Sequence, residues 1–448
     1  MHDRQTGMTE RVSLNSSSAQ ADNTSYDPLI SADGRYVAFT SLATNLVPGD
    51  TNVRLDVFVR DRLTGTTTRV SVDSSGAQGN DESGAGSISE DVRFVAFYSR
   101  ASNLVPGDTN LAADVFVHDR LTRTTTRVSV DSMGAEGNHH SFIASISADG
   151  RFVAFDSLAS NLVPGDTNVS MDVFVHDRQA GTTERVSVDS TGAPGKDDSR
   201  RPSISADGRI VAFESVAINL VSGDTNSVSD VFVHDRLTGT TERVSVGSAG
   251  AQGNDESEFA SISADGRFVA FVSYATNLVT GDTNQDPDVF VHDRHTGSTR
   301  RVSVKSDGGQ GNRASYNPSI SADGRIVAFG SISTNLVPGD TNFWSDAFVH
   351  GPYLTLEANP ETVATGDAIT LTTWTGLPGG ASLLAVVDVN GTPLFVVMAL
   401  GFFDADGLWT LTGTVPPGLS GNLVLFETLG IEPTGKVGIS NEEAVTFQ

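Results

Sequence analysis

Six aspartates, Asp33, Asp91, Asp149, Asp207, Asp265 and Asp323, each stand 58 residues after the last. A second set, Asp50, Asp108, Asp166, Asp224, Asp282 and Asp340, keeps the same step. Six units without insertion or deletion therefore occupy the first ~350 residues. A period of this length holds one supersecondary unit that cannot bury its apolar surface alone, so the chain has to stack copies of it.

Within residues 85–142 the unit reads as four short strands, 86–89, 93–99, 114–120 and 124–130. All four are rich in Val, Ile, Phe and Thr and are bounded by Gly, Asp, Asn and Pro, the chemistry of strands and turns. The second and third carry consecutive apolar residues, Phe94 to Phe97 and Val115 to Val117. Such runs fit strands covered on both faces, which radially stacked four-stranded sheets provide. Residues 2–14, HDRQTGMTERVSL, match a third-strand end and fourth strand (compare HDRQAGTTERVSV, 176–188), whereas the sixth unit leaves the repeat after His350. The reading is an all-β, six-bladed propeller over residues 1–350. Its last blade, begun by 317–350, is closed by the N-terminal strand within 3–14, which removes open sheet edges.

From Gly351 onward the repeat gives way to alternating segments, with Asn390 and Gly391 as a hairpin signal. Residues 351–448 are expected to form an immunoglobulin-like β-sandwich, an appended binding, spacing or anchoring module. Within the repeats, SADGRFVAF (147–155 and 263–271) and DVFVHDRLTG (230–239) resemble the WD40-like repeats of the TolB-type propeller family. That resemblance implies the propeller fold and a periplasmic setting. This chain departs from the family in using Ala32, Ala148, Ala206, Ala264 and Ala322 where Pro is common, and in a longer loop between the second and third strands.

The chain has 448 residues, no cysteine and a net charge of -26. Disulfides, thiolate metal sites and a cysteine nucleophile are excluded. The charge disfavours nucleic acid and anionic membranes. No run of about 18 apolar residues suits a transmembrane helix. A secreted, periplasmic or cell-surface monomer is expected from the resemblance and composition, and the first residues carry no signal profile.

The first candidate site is the loop NLVPGDTN (45–52) and its five near copies. It places Asp50, Asn52 and Asp56 at relative positions 1, 3 and 7, followed by Asp108, Asn110 and Asp114; Asp166, Asn168 and Asp172; Asp224, Asn226 and Asp230; Asp282, Asn284 and Asp288; and Asp340, Asn342 and Asp346. Alternating oxygen donors after a glycine can wrap Ca²⁺, and Asp286 adds a donor in the fifth copy. The competing reading is that these side chains bond their own backbone. The repeated His118, His176, His234, His292 and His350 read as edge packing, and Asp119 with Arg120 as a turn that pairs its charges locally.

The second candidate is the segment leading into each first strand, where the copies differ most: Tyr26, Gly84, Phe142, Arg200, Glu258 and Tyr316 occupy one position, with Asp81, Glu82, His139 and His140 just before it. Aromatic and arginine side chains are common interface anchors, so this face is expected to bind a protein or glycan. No organic cofactor motif occurs, and GxSxG and HExxH are absent. The function read from sequence is therefore a non-enzymatic binding or scaffold propeller. The alternative is a propeller hydrolase, lactonase or lyase, in which His139 and His140 would meet Asp81, Asp197 and Asp198 near the central opening.

Overall fold

The structure, a computed structural model, describes residues 1–351 and, beyond them, the backbone of eleven strands between 357 and 446. Each of the first five units is a four-stranded antiparallel sheet with its strands in chain order. In the third these are Ser141–Ile146, Phe152–Ser157, Asp172–Asp177 and Thr182–Arg185. The sixth sheet has three strands, Ser315–Ile320, Val327–Ser331 and Asp346–His350. First strands of successive blades touch one another, so they lie innermost and the fourth strands form the rim. The described residues of the repeats thus form a six-bladed, helix-free β-propeller.

Each sheet is built on the apolar runs. The third strand is buried end to end in the first five blades. A phenylalanine pair such as Phe155 and Phe174 stacks across the second and third strands, ring centres 5.9 Å apart. Apolar clusters then run from blade to blade: Ala212, Val231 and Val233 of the fourth pack with Ile262, Val269 and Phe271 of the fifth. Burial of this kind, about 25 cal/mol per Å² of apolar surface, is what a single sheet cannot obtain alone.

Polar ties repeat with the same period. The Ala148 amide donates to Ala206 O at 2.9 Å, and Ala206 to Ala264 and Ala264 to Ala322 do the same. His118, 5% exposed, bonds Thr125 Oγ1 through Nδ1 at 2.9 Å, and that hydroxyl donates to Val72 O of the preceding blade. Because the hydroxyl proton is committed to Val72, Nδ1 must carry the imidazole proton. His118, His176, His234 and His292 are therefore blade-to-blade struts, as edge packing predicts. Arg60 replaces the histidine in the first blade and makes equivalent bonds to Leu14 O and Thr67 Oγ1.

Two local expectations are changed by long-range contacts. Asp119 does not pair with Arg120. It accepts a forked bond from Arg93, 26 residues earlier (Nε 3.0 Å, Nη2 2.7 Å), while Arg120 reaches Val92 O and covers the Tyr36 ring of the preceding blade. The same fork joins Arg35 to Asp61, Arg151 to Asp177 and Arg209 to Asp235, and it holds these carboxyls far below their usual range. The turn where Val92 replaces glycine keeps the glycine geometry, with φ +56° against +72° at Gly150. Val92 is 2% exposed, so apolar packing in its cluster offsets a backbone conformation that a β-branched residue seldom adopts.

Residues 1–22 pack on blade one. Met1, Val12 and Ala21 cover Val37, Phe39 and Leu46. His2 pairs with Thr9 as His118 pairs with Thr125. The expected pairing of this segment with Asp346–His350 is not among the sheet pairings of the described residues, in which the sixth sheet remains three-stranded.

A second compact unit spans His350–Gln448. Its described strands pair antiparallel, including Ala368–Trp374 with Leu408–Thr414 and Asn422–Phe426 with Glu442–Thr446. Val387–Val389 pairs with Thr392–Leu394. The hairpin signal Asn390 and Gly391 between them lies outside the described residues.

Candidate functional site

The oxygen-rich loops are occupied from within. Asn52 accepts the Arg54 amide on Oδ1 and donates through Nδ2 to Gly79 O and to Asp56. Asp56, fully buried, also accepts Ser71 Oγ. Arg69 Nη1 then lies 3.4 Å from Asp50 and 3.1 Å from Asp56, with only 9% of its side chain exposed. Arg127 holds Asp108 and Asp114, Arg185 holds Asp166 and Asp172, Arg243 holds Asp224 and Asp230, and Arg301 holds Asp282 and Asp288. Calcium needs six to eight oxygens at about 2.3–2.6 Å. In these five loops the guanidinium stands between the two carboxylates that would supply them, so the donor set fits an arginine and does not fit calcium.

Among the described residues, only Asp108, Asp114 and Glu136 approach closely enough to share an ion, and Arg127 bonds all three. Burial, reinforced by the charge of Asp114, pushes Asp108 up to about 6 despite Arg127. Asp286, the extra donor of the fifth copy, only passes its amide to Asn284. The sixth copy differs in sequence: Asn359 stands at the position equivalent by repeat to Arg69, Arg127, Arg185, Arg243 and Arg301.

The variable positions form a set of cross-strand pairs on the innermost hairpin of each blade. Tyr26 lies opposite Thr40, Gly84 opposite Tyr98, Phe142 opposite Asp156, Arg200 opposite Glu214, Glu258 opposite Val272 and Tyr316 opposite Gly330. Sizes compensate in two of these pairs. A Cβ on Gly84 would sit 2.3 Å from the Tyr98 ring, and one on Gly330 would sit 2.9 Å from the Tyr316 ring. The aromatic members fall in blades six, one, two and three, and the charged members in blades three to five.

In the charged sector Asp156 Oδ2 accepts the Arg201 amide at 3.0 Å and Glu214 Oε2 the Phe259 amide at 2.9 Å, each across a blade junction. These amides are free to reach a neighbouring blade because the first strand bulges there. Asp27, Arg201, Phe259 and Asn317 at the bulge have φ of +50° to +57°. Arg201 pairs with Glu214 at 2.6 Å and covers the Phe259 ring at 4.2 Å. Asp156 is 2% exposed and its Oδ1 has no partner, and burial pushes its carboxyl up to about 6. Burial also raises Glu258, with Glu214 adding to the effect.

In the aromatic sector Phe142 meets Tyr98 edge-on at 6.1 Å and stacks on His140 at 5.6 Å, and His139 meets His140 at 5.0 Å. His140 Nδ1 accepts the Ala113 amide at 2.8 Å, and burial, with His139 beside it, lowers its pKa. The two histidines and Asp81, Asp197 and Asp198 form no metal-ligand group among the described residues. Asp81 and Glu82 face Arg54 at 3.6 and 3.9 Å, and Asp81 borders a cleft of about 250 Å³ with Asn80, Arg100 and Asp108. Asp198 pairs with Arg200 and also accepts the Met171 amide. The sequence reading missed Tyr98, Asp156, Glu214 and Arg201. The signal was present in the second strand, where the string VAFxS recurs in every unit and varies only at Thr40, Tyr98, Asp156, Glu214, Val272 and Gly330.

No family model matches the chain, and no curated protein does. Among solved structures, a protein described as a TolB from Agrobacterium tumefaciens is 17% identical, with a TM-score of 0.42, covering 74% of this chain and 92% of its own. A complex of KlAtg21 with the coiled coil of AgAtg16 is 10% identical, with a TM-score of 0.42 and coverages of 94% and 99%. The tricorn protease is 12% identical with a TM-score of 0.21; the match takes in 99% of this chain and 59% of the protease.

Proposed function

We propose that this protein is a non-enzymatic binding propeller that presents its innermost hairpins to a protein or glycan partner, in a secreted, periplasmic or cell-surface setting. The reading extends the sequence resemblance to TolB-type repeats and treats residues 351–448 as an immunoglobulin-like module appended to the binding ring. One observation carries it. The second strands share VAFxS in all six blades and differ at x, which faces the variable first-strand position, and in blades two and six the two members of that pair have compensating sizes. Drift in a solvated loop needs no such compensation, whereas a surface retuned blade by blade does. Its aromatic sector offers flat apolar anchors and its charged sector offers orientation, the division of labour found in recognition surfaces.

The test is a comparison of the natural protein with a Tyr26→Ala, Phe142→Ala, Arg200→Ala, Tyr316→Ala variant on a glycan panel and on secreted-protein extracts. Ligands enriched by the natural protein should weaken by about tenfold or more in a variant that melts at nearly the same temperature. Undiminished capture by the variant would remove this face from the function.

A further inference from the structure

The cleft of about 250 Å³ beside the loop of blade two holds charged groups that the chain itself leaves unmet. Asp108 lines it. The Asp108 side chain is 4% exposed and lies 3.5 Å from Arg127, yet among the described residues it accepts no hydrogen bond. In blades four and five a glutamine serves the equivalent carboxylate: Gln252 Nε2 donates to Asp224 at 3.0 Å and Gln310 Nε2 to Asp282 at 2.9 Å. Blade two has Glu136 at that position. An ionised carboxylate has no proton to give, and Glu136 already accepts from Arg127 and from the Thr109 amide. Asp108 is left with two like charges, Asp114 and Glu136, and without a donor.

Arg100 lines the same cleft. It is exposed, and its guanidinium pairs with no carboxylate among the described residues. The other blades have Leu42, Leu158, Val216, Tyr274 and Ile332 there, so this cation belongs to blade two alone. Its charge acts on Tyr98 and on His140, which places it beside the ring cluster that these two make with Phe142. Leu111, 90% exposed at a φ of +56°, and Ala112 give the cleft an apolar side. Ser102 Oγ accepts Asn80 Nδ2 at 3.1 Å and keeps its own proton for a ligand.

Charge selects the class of ligand. Asp81, Asp108 and Glu136 repel an anion, and Arg100 with Arg127 repels a cation. A hydroxyl both donates and accepts, so a polyhydroxy ligand meets the carboxylate and the guanidinium together and brings no charge. The volume lies below the roughly 300–1,000 Å³ of sites for drug-sized molecules, which suits a single ring. We propose that the blade-two cleft binds one neutral sugar ring of a glycan. The sugar hydroxyls donate to Asp108 and accept from Arg100, its apolar face rests on Leu111 and Ala112, and the glycan continues inward over Tyr98, His140 and Phe142. This rests on the reading of the inner hairpins as a binding face and commits that reading to a glycan at blade two.

The natural protein, Arg100→Leu and Glu136→Gln are titrated in a calorimeter with neutral, uronic-acid and amino-sugar oligosaccharides chosen from a printed panel. Neutral oligosaccharides should bind the natural protein and weaken by about tenfold or more in Arg100→Leu, an exposed change to the residue of blades one and three. Glu136→Gln should raise the melting temperature, by making the bond seen in blades four and five, and yet weaken the sugar several-fold, because the glutamine occupies the acceptor that the sugar needs. A merely structural role for Glu136 would not set stability and binding against each other. Neutral oligosaccharides that keep their affinity in both variants and lose it in the four-residue variant of the inner hairpins would overturn the cleft and keep the binding face. A response confined to uronic acids or amino sugars, or no oligosaccharide bound whatever proteins are captured, would overturn the neutral sugar itself.

Discussion

Arg185 is the cleanest place to test whether arginine holds the loop carboxylates. Its Nη1 lies 3.1 Å from Asp166 and 3.0 Å from Asp172, whose side chains are 4% and 0% exposed. Pro194 occupies the position where Glu136 adds a third carboxylate in blade two, so no other charge complicates the site. Arg185→Met keeps most of the buried stem and removes the charge. Two carboxylates then face each other with little water, and losing one partner of a buried ion pair costs about 3–5 kcal/mol. The melting transition should fall by roughly 4–7 °C at neutral pH, read by calorimetry.

Two accompaniments make this result specific. Burial already raises Asp172, and removing the guanidinium raises it further. A carboxyl whose folded pKa exceeds its unfolded value loses stability as pH rises through the interval between them, so the deficit should shrink at about pH 5. Millimolar Ca²⁺ should recover part of the lost stability in Arg185→Met, where the carboxylates are freed, and leave the natural protein unmoved. Calcium stabilisation of the natural protein equal to that of the variant, or a variant melting within about 1 kcal/mol of it, would refute the reasoning.

The buried histidines make stability depend on pH in the opposite sense. Burial lowers His118 from 6.5 to about 4, so the unfolded chain takes up a proton that the folded chain refuses, and stability is lost as pH falls through that window. Denaturant titrations should show His118→Gln gaining about 2 kcal/mol on the natural protein between pH 7 and 5; a constant difference would count against it. Gly150→Val should cost more than about 3 kcal/mol, because its Cβ would lie 2.1 Å from the Phe94 ring at a φ of +72°. Val92→Gly should stay within about 1 kcal/mol, because strain relief offsets lost packing; similar costs for the two would undo this account. Arg209→Lys should lower the midpoint of chemical denaturation, since a lysine cannot make the two bonds of 2.8 and 2.6 Å to Asp235; an unchanged midpoint would make the fork decorative.

The repeat made the blade legible. Strand order, the two-sided burial of VAF and DVFV segments and the structural role of the histidines all follow from local pattern, because strand chemistry and turn chemistry are written in neighbouring residues. The variable first-strand positions were legible too, since divergence within an otherwise repeated unit needs no structure to be seen. Their partners were not: Asp156 and Glu214 face Phe142 and Arg200 across an antiparallel register, a relation that spacing along the chain does not display.

The loop NLVPGDTN marks the boundary between the two kinds of knowledge. Its own residues state that oxygen donors recur at fixed spacing after a glycine turn, and that chemistry suits a cation. Which cation fills the space depends on a residue 19 positions further on, Arg69 for Asp50, carried there by the third-to-fourth-strand hairpin. The sequence by itself determined the unit, its period and its backbone hydrogen bonding, which are short-range. Only the folded sheet decided that the charge on these aspartates is neutralised by arginine, since Coulombic pairing is set by distance in space and by burial.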